Sequence, residues 1–158
     1  MELIRIRPND KKMINSVFLS ARDLEEEYPN FKNWYYQSVV PGLVDGTRNI
    51  FAVVCNGEIA AIMILKNAEE KKICTLRVSK NYRNLRIGSK LLKIAFKELQ
   101  TAMPVITVSD KHKHEFENVL GRNGFVLEKA YPDYYINGVV EYSYNGLLNE
   151  ACEVKCCG

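Results

Sequence analysis

The sequence predicts a single α/β domain, and three observations carry that prediction. The chain has 158 residues, a length that fits one domain able to bury a sizeable core. Strand-like and helix-like segments alternate in the order β-α-α-β-β-β-α-β-α-β-β, with no repeat or low-complexity stretch between them. The composition, 47% hydrophobic and 26% charged, is ordinary for a globular protein.

The first third of the chain predicts one strand and two helices. Leu3, Ile4 and Ile6, together with Arg5 and Arg7, predict a first strand, and Pro8 closes it. Either residue of the Asn9-Asp10 pair can cap a helix that runs to about Glu27, because apolar residues follow at helical spacing. A shorter helix is expected over 29–39, and Pro41-Gly42 is expected to stop it.

The middle of the chain predicts a three-stranded meander. Strands are expected over 49–55, 58–65 and 72–78. Asn56-Gly57 joins the first two strands, because both residues tolerate the positive φ that a tight hairpin turn requires. The segment from Ile59 to Leu65 is almost wholly apolar, which indicates a strand buried on both faces.

The second half predicts two helices and three further strands. A helix over 87–100 turns an apolar face inward and leaves three lysines on its outer face. A short buried strand over 104–108 follows, and a helix over 113–122 then ends at an Asn-Gly pair. The last two strands are expected over 125–129 and 139–144.

The stretch from Leu76 to Leu92, LRVSKNYRNLRIGSKLL, is chemically the most informative part of the chain. A strand feeds a short basic loop that opens directly into an amphipathic helix. The first N–H groups of a helix have no internal partner and carry the positive end of its dipole, so such a loop binds phosphate readily. Arg83, Arg86 and Lys90 add positive charge, and Gly88 lets a ligand approach the backbone closely. The alternative is a basic helix start whose cations are only solvated.

This order of residues resembles motif A of the GNAT superfamily of N-acetyltransferases, which reads strand-V-x4-(R/Q)-x-x-G-x-(G/A). Val78 is the valine, Arg83 the basic residue and Gly88 the last small residue, while Arg86 replaces the first glycine. The resemblance covers about residues 2–146. It implies an α/β fold with a central, twisted, mixed sheet and helices on both faces. It also implies that the central strands splay apart and admit the pantetheine arm of acetyl-CoA.

The same resemblance implies how acetyl-CoA is held. The backbone of the fourth predicted strand pairs with the pantetheine amides and donates to the thioester oxygen, and the loop takes the pyrophosphate. The cofactor-binding residues expected from it are Leu76, Arg77, Val78, Arg83, Asn84, Leu85, Arg86, Ile87, Gly88, Ser89 and Lys90. Lys80 or Lys90 is a candidate for the 3′-phosphate, or each is simply a solvated lysine. Arg77 is expected on the strand face opposite to Leu76 and Val78.

The sequence leaves the catalytic residues open. The family often supplies the leaving-group acid from a tyrosine at the position that Leu120 occupies here. The remaining candidates for catalysis are Ser109, Tyr134 and Tyr135. The candidates for a general base, chosen by location, are Glu26, Glu27 and Glu141, or a relayed water. His112 and His114 lie in the polar sequence KHKHE and are interpreted as solvated.

Acidic and aromatic residues gather where the first two predicted helices meet, a region that shapes the acceptor pocket in the family. They are Asp23, Glu25, Glu26, Glu27, Tyr28, Trp34, Tyr35 and Tyr36. Such a set suits a cationic amine, through charge and through cation–π contact. The alternative is a solvated acidic face beside an aromatic core.

The resemblance therefore implies an acetyl-CoA-dependent N-acetyltransferase that acts on a primary amine of a small molecule, a peptide N-terminus or a lysine. An alternative is a catalytically degenerate CoA-binding or regulatory module, which Arg86 and Leu120 suggest. A nucleic-acid partner is disfavoured, because the net charge is only +3 and the basic stripe holds no aromatic residue. A homodimer is left open by the resemblance.

No targeting or membrane feature is recognised in the sequence. No apolar run approaches the ~20 residues of a membrane span, and the N-terminus lacks the apolar core of a signal peptide. A cytoplasmic protein without a membrane partner is therefore expected. The GNAT domain is expected over 1–146, with a tail over 147–158. The tail holds Cys152, Cys156 and Cys157, whose role is left open, and no metal site is expected.

Overall fold

A computed structural model describes residues 1–148, which form a seven-stranded mixed sheet flanked by helices. The strands are β1 (Glu2–Arg5), β2 (Arg48–Cys55), β3 (Glu58–Asn67), β4 (Lys71–Val78), β5 (Val105–Ser109), β6 (Leu127–Pro132) and β7 (Val140–Tyr144). The helices are α1 (Lys11–Ala21), α2 (Phe31–Trp34), α3 (Val40–Asp45), α4 (Ile87–Leu99) and α5 (Asp110–Arg122). The strand order is β1-β2-β3-β4-β5-β7-β6, and only the β4–β5 pair is parallel within residues 1–148.

The predicted meander forms with the predicted turn. Asn56 and Gly57 have φ values of 51° and 79°, the left-handed conformations that a two-residue hairpin of this kind requires. β3 is buried from Ala60 to Leu65, in agreement with its continuous apolar run. β2, β3 and β4 therefore form the antiparallel centre of the sheet, on which both helical layers rest.

One apolar core lies on each face of the sheet. The core under α4 and α5 includes Met63, Ile73, Leu91, Leu92 and Leu120. The core under α1 and α2 includes Val17, Phe31, Tyr35, Ile50 and Ile62. Each of these side chains is almost fully removed from water, and burial of one such side chain stabilises the fold by roughly 1.5–3 kcal/mol.

Helix α1 begins where its cap predicts and ends earlier than its periodicity predicts. The Asp10 carboxylate accepts a hydrogen bond from the Met13 N–H at 3.0 Å. The prediction of a helix to residue 27 is too long, because the α-helix ends at Ala21 and Arg22–Glu26 form a 3₁₀ turn. Acidic side chains follow Ala21, and negative charge at the C-terminal end of a helix opposes its dipole.

The prediction that Pro41-Gly42 stops the second helix is wrong. After α2, Tyr35–Val39 form a π-helical turn, and the chain continues helically through α3 to Asp45. Pro41 directly follows the π-helical turn, where the helical hydrogen-bond pattern is already shifted and a proline without an N–H is accommodated. The helix ends instead at Gly46, whose φ is 82°.

Two boundaries near the C-terminus also differ from their predictions. Helix α5 begins at Asp110, three residues before the predicted start, directly after the last residue of β5. Strand β6 begins at Leu127, because Gly124 turns the chain with a φ of 82° and Phe125 packs into the core. Both shifts follow from tertiary packing, which local periodicity does not report.

The C-terminal tail lies almost wholly outside the described residues, and its three cysteines with it. Of the part that is described, Leu148 is buried against Tyr131 and Tyr134, and its N–H donates to the Tyr131 hydroxyl at 2.9 Å. Packing against the sheet thus continues two residues past the predicted domain boundary at 146. Over residues 1–148, no helix is long and apolar enough to cross a membrane, and no cluster of metal-ligating side chains is found.

The close packing of Gly42 gives a stability prediction. A Cβ at Gly42 would overlap the side chain of Arg48, whereas a Cβ at Gly121 on α5 meets open space. We expect Gly42→Ala to lower the free energy of unfolding by about 1–3 kcal/mol. We expect the matched Gly121→Ala to raise it by about 0.5–1 kcal/mol, because alanine is the better helix former. Urea denaturation measures both values, and equal effects at the two sites would contradict the packing of α3.

Candidate functional site

The central parallel strands diverge. β4 and β5 are paired only at Lys72 with Val105 and at Ile73 with Ile106. Just beyond this point, Cys74 forms a bulge, since Ile73 and Thr75 face consecutive residues of β3. Within residues 1–148, the side of β4 that faces β5 has no strand partner from Cys74 to Val78. The divergence leaves backbone N–H and C=O groups available to an extended ligand.

A helix N-terminus with free amides lies at the end of this gap. Arg86 occupies the N-cap position of α4 with a φ of 59°, and no side chain caps the helix. The first intrahelical hydrogen bond runs from the Lys90 N–H to the Arg86 carbonyl at 3.1 Å. Among residues 1–148, the N–H groups of Ile87, Gly88 and Ser89 have no acceptor. These three amides and the helix dipole can bind an anion.

Arg86 takes the left-handed conformation that a glycine adopts without strain. Asn84, with a φ of 64°, does the same two residues earlier. A left-handed conformation costs an L-residue other than glycine roughly 1–2 kcal/mol, and the described loop adopts it at both positions. The replacement of the motif's first glycine by Arg86 therefore leaves the turn intact.

Gly88 has open space where its side chain would be. A Cβ at this position would meet only the Val119 Cγ2 atom, at an ordinary 3.8 Å. The protein itself therefore does not require glycine here, and a ligand at the helix N-terminus would. Arg86 and Lys90 are exposed beside it, and Arg83 lies alongside through an ion pair with Glu115 at 3.0 Å. The loop is thus open and cationic.

The other residues predicted to bind a cofactor either can offer only backbone groups to a ligand or have side chains that point away from the strand gap. The side chains of Leu76, Val78 and Ile87 pack into the core under α4, so only their backbone groups can face a ligand. Arg77 lies on the opposite face of β4, as predicted, and pairs with Asp23 at 2.5 Å. Leu85 and Lys80 are exposed.

A buried polar patch covers part of the sheet on the side of α1. Strands β4, β5 and β7 carry buried polar residues, which are Lys72, Thr75, Ser109, Glu141 and Ser143. Ser109 and Glu141 are paired across β5 and β7, so their side chains stand together on one face. Buried polar groups cost free energy unless they are satisfied, so their concentration at the diverging strands makes this face a candidate functional surface.

A small cleft lies over this patch. Its lining residues are Glu27, Ser109, Lys111, Tyr135, Ile136, Val139 and Glu141. The Tyr28 hydroxyl donates to Glu141 Oε1 at 3.2 Å, and the Tyr28 ring meets the Tyr135 ring edge-on at 5.0 Å. His112 Nε2 lies 2.7 Å from Glu27 Oε1, and the Ser109 hydroxyl donates to Glu27 Oε2 at 3.5 Å. Two carboxylates thus share a cleft that is partly walled by tyrosine rings.

Glu141 is the strongly perturbed acid of this cleft. It is 2% exposed, and burial raises the pKa of its carboxyl group from 4.5 to about 7. Hydrogen bonds from Thr107 and Tyr28 and the charge of Lys72 oppose the rise, and the charge of Glu27 adds to it. A carboxyl group with a pKa near neutrality can exchange a proton at physiological pH.

The structure separates the three predicted catalytic candidates. Ser109 and Tyr135 line the cleft together. Tyr134 does not line it, because its ring packs on Tyr131 and Leu148. Leu120 is fully buried in the core. Ser109 and Tyr135 therefore bring hydroxyl groups to the cleft, and the hydroxyl groups of Tyr28 and Thr107 bond the Glu141 carboxyl group.

The predicted general bases and histidines divide in the same way. Glu27 and Glu141 lie in the cleft, whereas Glu26 is exposed. The interpretation of His112 as a solvated residue is wrong, because α5 starts early and its first turn carries the His112 ring to Glu27. His114 is exposed, as expected. The one sequence feature that could have indicated this contact is the position of His112, about one helical turn after Ser109.

The aromatic residues near the second helix belong mainly to the core. Trp34 and Tyr35 are buried among the residues under α1 and α2. Tyr36 packs on Phe18. Only Tyr28 reaches the cleft, so the alternative of an aromatic core describes most of this cluster.

Comparison with known families identifies the fold. A family model described as the acetyltransferase (GNAT) family matches residues 12–116, which is more than half of the chain. The chain belongs to the GNAT acetyltransferase family. The match includes β4, the loop with Gly88 and helix α4 of this GNAT protein. A comparison with curated protein sequences gives no significant match.

Solved structures agree with the family assignment. A GNAT acetyltransferase from Streptococcus pneumoniae is 19% identical with a TM-score of 0.64, over 90% of this chain and 98% of that chain. A Bacillus subtilis acetyltransferase in complex with CoA is 12% identical with a TM-score of 0.60, over 93% and 99%. A chimera that includes the spermidine N-acetyltransferase of Vibrio cholerae is 15% identical with a TM-score of 0.64, over 91% and 94%. At these identities the likeness establishes the fold.

The buried Glu141 gives a prediction about stability. Because its pKa is raised in the folded state, the wild-type protein loses stability as pH rises from about 4.5 to about 7. Glu141→Gln keeps the shape and removes this ionisation. We expect the variant to gain on the wild type between pH 5 and pH 8 by up to roughly 3 kcal/mol. Urea denaturation at several pH values measures the difference.

The matched control for this measurement is Glu128→Gln, because Glu128 is exposed on β6. We expect this variant to lose stability with rising pH as the wild type does, because it retains the buried Glu141. A Glu141→Gln curve that ran parallel to the wild-type curve would contradict the burial of an ionisable Glu141.

Proposed function

We propose that this GNAT protein is an acetyl-CoA-dependent N-acetyltransferase that transfers an acetyl group directly to a primary amine. One observation carries the proposal: the diverging ends of β4 and β5 open beside an uncapped, cationic helix N-terminus. An extended chain that ends in phosphates fits that combination. The CoA complex of the Bacillus subtilis relative and the spermidine N-acetyltransferase relative support the choice of cosubstrate and of acceptor class.

The proposed cosubstrate site uses the backbone more than the side chains. The unpaired side of β4 from Leu76 to Val78 would bond the pantetheine amides as an added strand does. The free N–H groups at the start of α4 would take the pyrophosphate, with Arg83, Arg86 and Lys90 supplying charge. Gly88 would then be the point of closest approach, since its Cβ position is open.

The proposed reaction takes place where the two sites meet. A neutral amine attacks the thioester carbonyl, and a backbone N–H of β4 stabilises the oxygen as it gains charge. The C–S bond breaks, and the thiolate leaves with an ordinary thiol pKa of about 8.5, which makes strong acid assistance unnecessary. The nitrogen loses one proton as the amide forms and the sulfur gains one, and the Ser109 and Tyr135 hydroxyls, which line the cleft, are the proposed groups that pass this proton on.

A catalytically degenerate CoA-binding module is the alternative function. The observation that favours it is Leu120, which stands in place of the family's tyrosine and whose side chain is fully buried. The cleft with Ser109, Tyr135 and Glu141 argues for the enzyme, because a module that only binds CoA does not need a buried acid next to the strand gap. Thiol release from acetyl-CoA in the presence of amines distinguishes the two functions.

The cosubstrate site is tested by titration of the reduced protein with acetyl-CoA and with CoA, followed by calorimetry. We expect saturable binding that Gly88→Ala weakens at least about tenfold, because the added Cβ blocks the approach of phosphate to the helix amides. Gly121→Ala, a glycine-to-alanine change on α5, should bind as the wild type does. The melting temperature of Gly88→Ala should not fall, since its Cβ has room.

Two results would overturn the cosubstrate site. Absence of binding at millimolar acetyl-CoA would exclude an acyl-CoA enzyme. Equal affinities for Gly88→Ala and Gly121→Ala would move any CoA site away from the loop before α4.

A further inference from the structure

We infer that Glu115 is a positioning residue that couples the loop before α4 to the cleft, because its carboxylate lies between Arg83 and His112. The inference rests on the proposed function, since the ligand that would compete for Arg83 is the pyrophosphate of CoA. It gives a role to a residue that belongs to neither site, and it states how occupancy of the loop changes the cleft.

Glu115 lies between the two sites on helix α5. It follows His112 by three positions, so both side chains leave the same face of that helix. Its Oε1 atom is 3.0 Å from Arg83 Nη1, and its Oε2 atom is 3.8 Å from His112 Nδ1. The other ring nitrogen of His112, Nε2, lies 2.7 Å from Glu27 Oε1. Glu27 lines the cleft, so these four side chains connect the loop to the cleft.

The guanidinium of Arg83 is available to a stronger anion than Glu115. Its Nη1 atom contacts Glu115, and its Nε–H reaches the Val78 carbonyl only at 3.4 Å. The side chains of Arg83 and Glu115 are 39% and 43% exposed, so their ion pair is weak. A pyrophosphate at the N–H groups of 87–89 carries more charge than one carboxylate and can therefore take the guanidinium from Glu115.

The hydrogen bonding of His112 determines what a released Glu115 does. Contact with the Glu27 carboxylate places a proton on Nε2, and a neutral ring then carries none on Nδ1. At 3.8 Å, Glu115 Oε2 is too far from Nδ1 to accept a hydrogen bond. A Glu115 carboxylate freed from Arg83 favours a second proton, on Nδ1, because each ring nitrogen then donates to a carboxylate. That proton comes from the solvent.

The other charged groups around His112 belong to different pairs. Glu27 comes from the segment after α1, and its charge acts in turn on Glu141 of β7. On α5, Lys111 lines the cleft, and Lys113 pairs with Glu117 at 3.8 Å. Among the ion pairs of residues 1–148, the one that joins the loop before α4 to α5 is that of Arg83 with Glu115.

The consequence is a change of charge on one wall of the cleft. When pyrophosphate occupies the loop, a doubly protonated His112 stands against Glu27, and that wall becomes more positive. The coupling is reciprocal, so a change of charge at Glu27 also alters the affinity of the loop for CoA. The exchange of partners at Arg83 thus reports the bound phosphates to a site that they do not touch.

Nuclear magnetic resonance of the imidazole rings measures this coupling without turnover. The sequence holds two histidines, so His114→Gln assigns the Cε1–H signal of His112. Inorganic pyrophosphate is titrated at neutral pH, because it has no pantetheine arm that could touch the cleft. In the wild type we expect the backbone amide signals of 87–89 and the His112 signal to move together. The His112 signal should move downfield, the direction of ring protonation.

Matched variants locate the coupling at Glu115. Glu115→Gln keeps the shape of the side chain and removes its charge, so the loop amides should still move and most of the His112 shift should be lost. Glu117→Gln removes the same charge from an exposed position on the same helix and should behave as the wild type does. Gly88→Ala should weaken both movements, because it blocks the loop.

The CoA affinities of four proteins distinguish competition for Arg83 from simple repulsion. They are the wild type, Glu115→Gln, Arg83→Gln and the double variant, each measured by calorimetry. We expect Glu115→Gln to bind CoA about two- to fivefold more tightly, since the phosphates no longer compete with a carboxylate for the guanidinium. In the Arg83→Gln background the same change should alter the affinity less than about twofold, because no guanidinium remains to be released.

The outcomes separate this inference from the proposed function. If neither pyrophosphate nor CoA moves the loop amides, the proposed phosphate site is wrong and the inference falls with it. If the loop amides move and the His112 signal does not, or if Glu115→Gln shows the full His112 shift, the phosphate site stands and the coupling is wrong. An equal gain in CoA affinity with and without Arg83 would likewise overturn the competition for Arg83.

Discussion

The short parallel contact between β4 and β5 is the constraint on which the rest of the structure depends. Two residue pairs hold the strands together, and the bulge at Cys74 then directs β4 away. Had the pairing continued to Val78 and Ser109, the sheet would be closed and the proposed cosubstrate site would be lost. Each diverging strand is held on its other side by an antiparallel partner: β3 pairs with β4, and β7 pairs with β5.

The two faces of the sheet differ in the residues that they bury. Under α4 and α5 the apolar core extends across β3, β4, β5 and β7. On the other face the apolar core lies over β2 and β3, and buried polar residues lie on β4, β5 and β7. Buried polar residues at a strand gap cost stability unless they are hydrogen-bonded, so the apolar cores must offset that cost.

Charged side chains are also distributed unevenly between the loop before α4 and the cleft. Arg83, Arg86 and Lys90 surround the loop before α4, and Glu27 and Glu141 face the cleft. Lys111 also lines the cleft and the charge of Lys72 acts on Glu141, so cations partly balance these two carboxyl groups. The cationic loop before α4 would attract a polyanionic cosubstrate such as the proposed acetyl-CoA.

The parts of the fold and site that the sequence predicts are those set by neighbouring residues. The Asn56-Gly57 turn, the Asp10 cap and the basic loop before α4 are local, and the structure contains all three. Pro41 misleads because the π-helical turn before it places it in a new first turn. That turn is a tertiary adjustment, and local patterns do not report it.

The cleft is harder to predict because it joins residues that are far apart in the chain. Glu27 and His112 are 85 positions apart, and Tyr28 and Glu141 are 113 apart. Glu27 and Glu141 were candidates by location, but only the strand register shows that one cleft holds both. The raised pKa of Glu141 depends on burial, which one sequence does not reveal.

Hydrogen exchange of the backbone amides, with and without CoA, tests the central claim most directly. The account predicts that CoA slows exchange in two segments, 74–78 of β4 and 87–89 at the start of α4, because the β4 amides that point towards β5 and the first amides of α4 lack partners in the free protein. Protection confined to other parts of the sheet, with these two segments unchanged, would contradict the claim that the divergence of β4 and β5 creates the cosubstrate site.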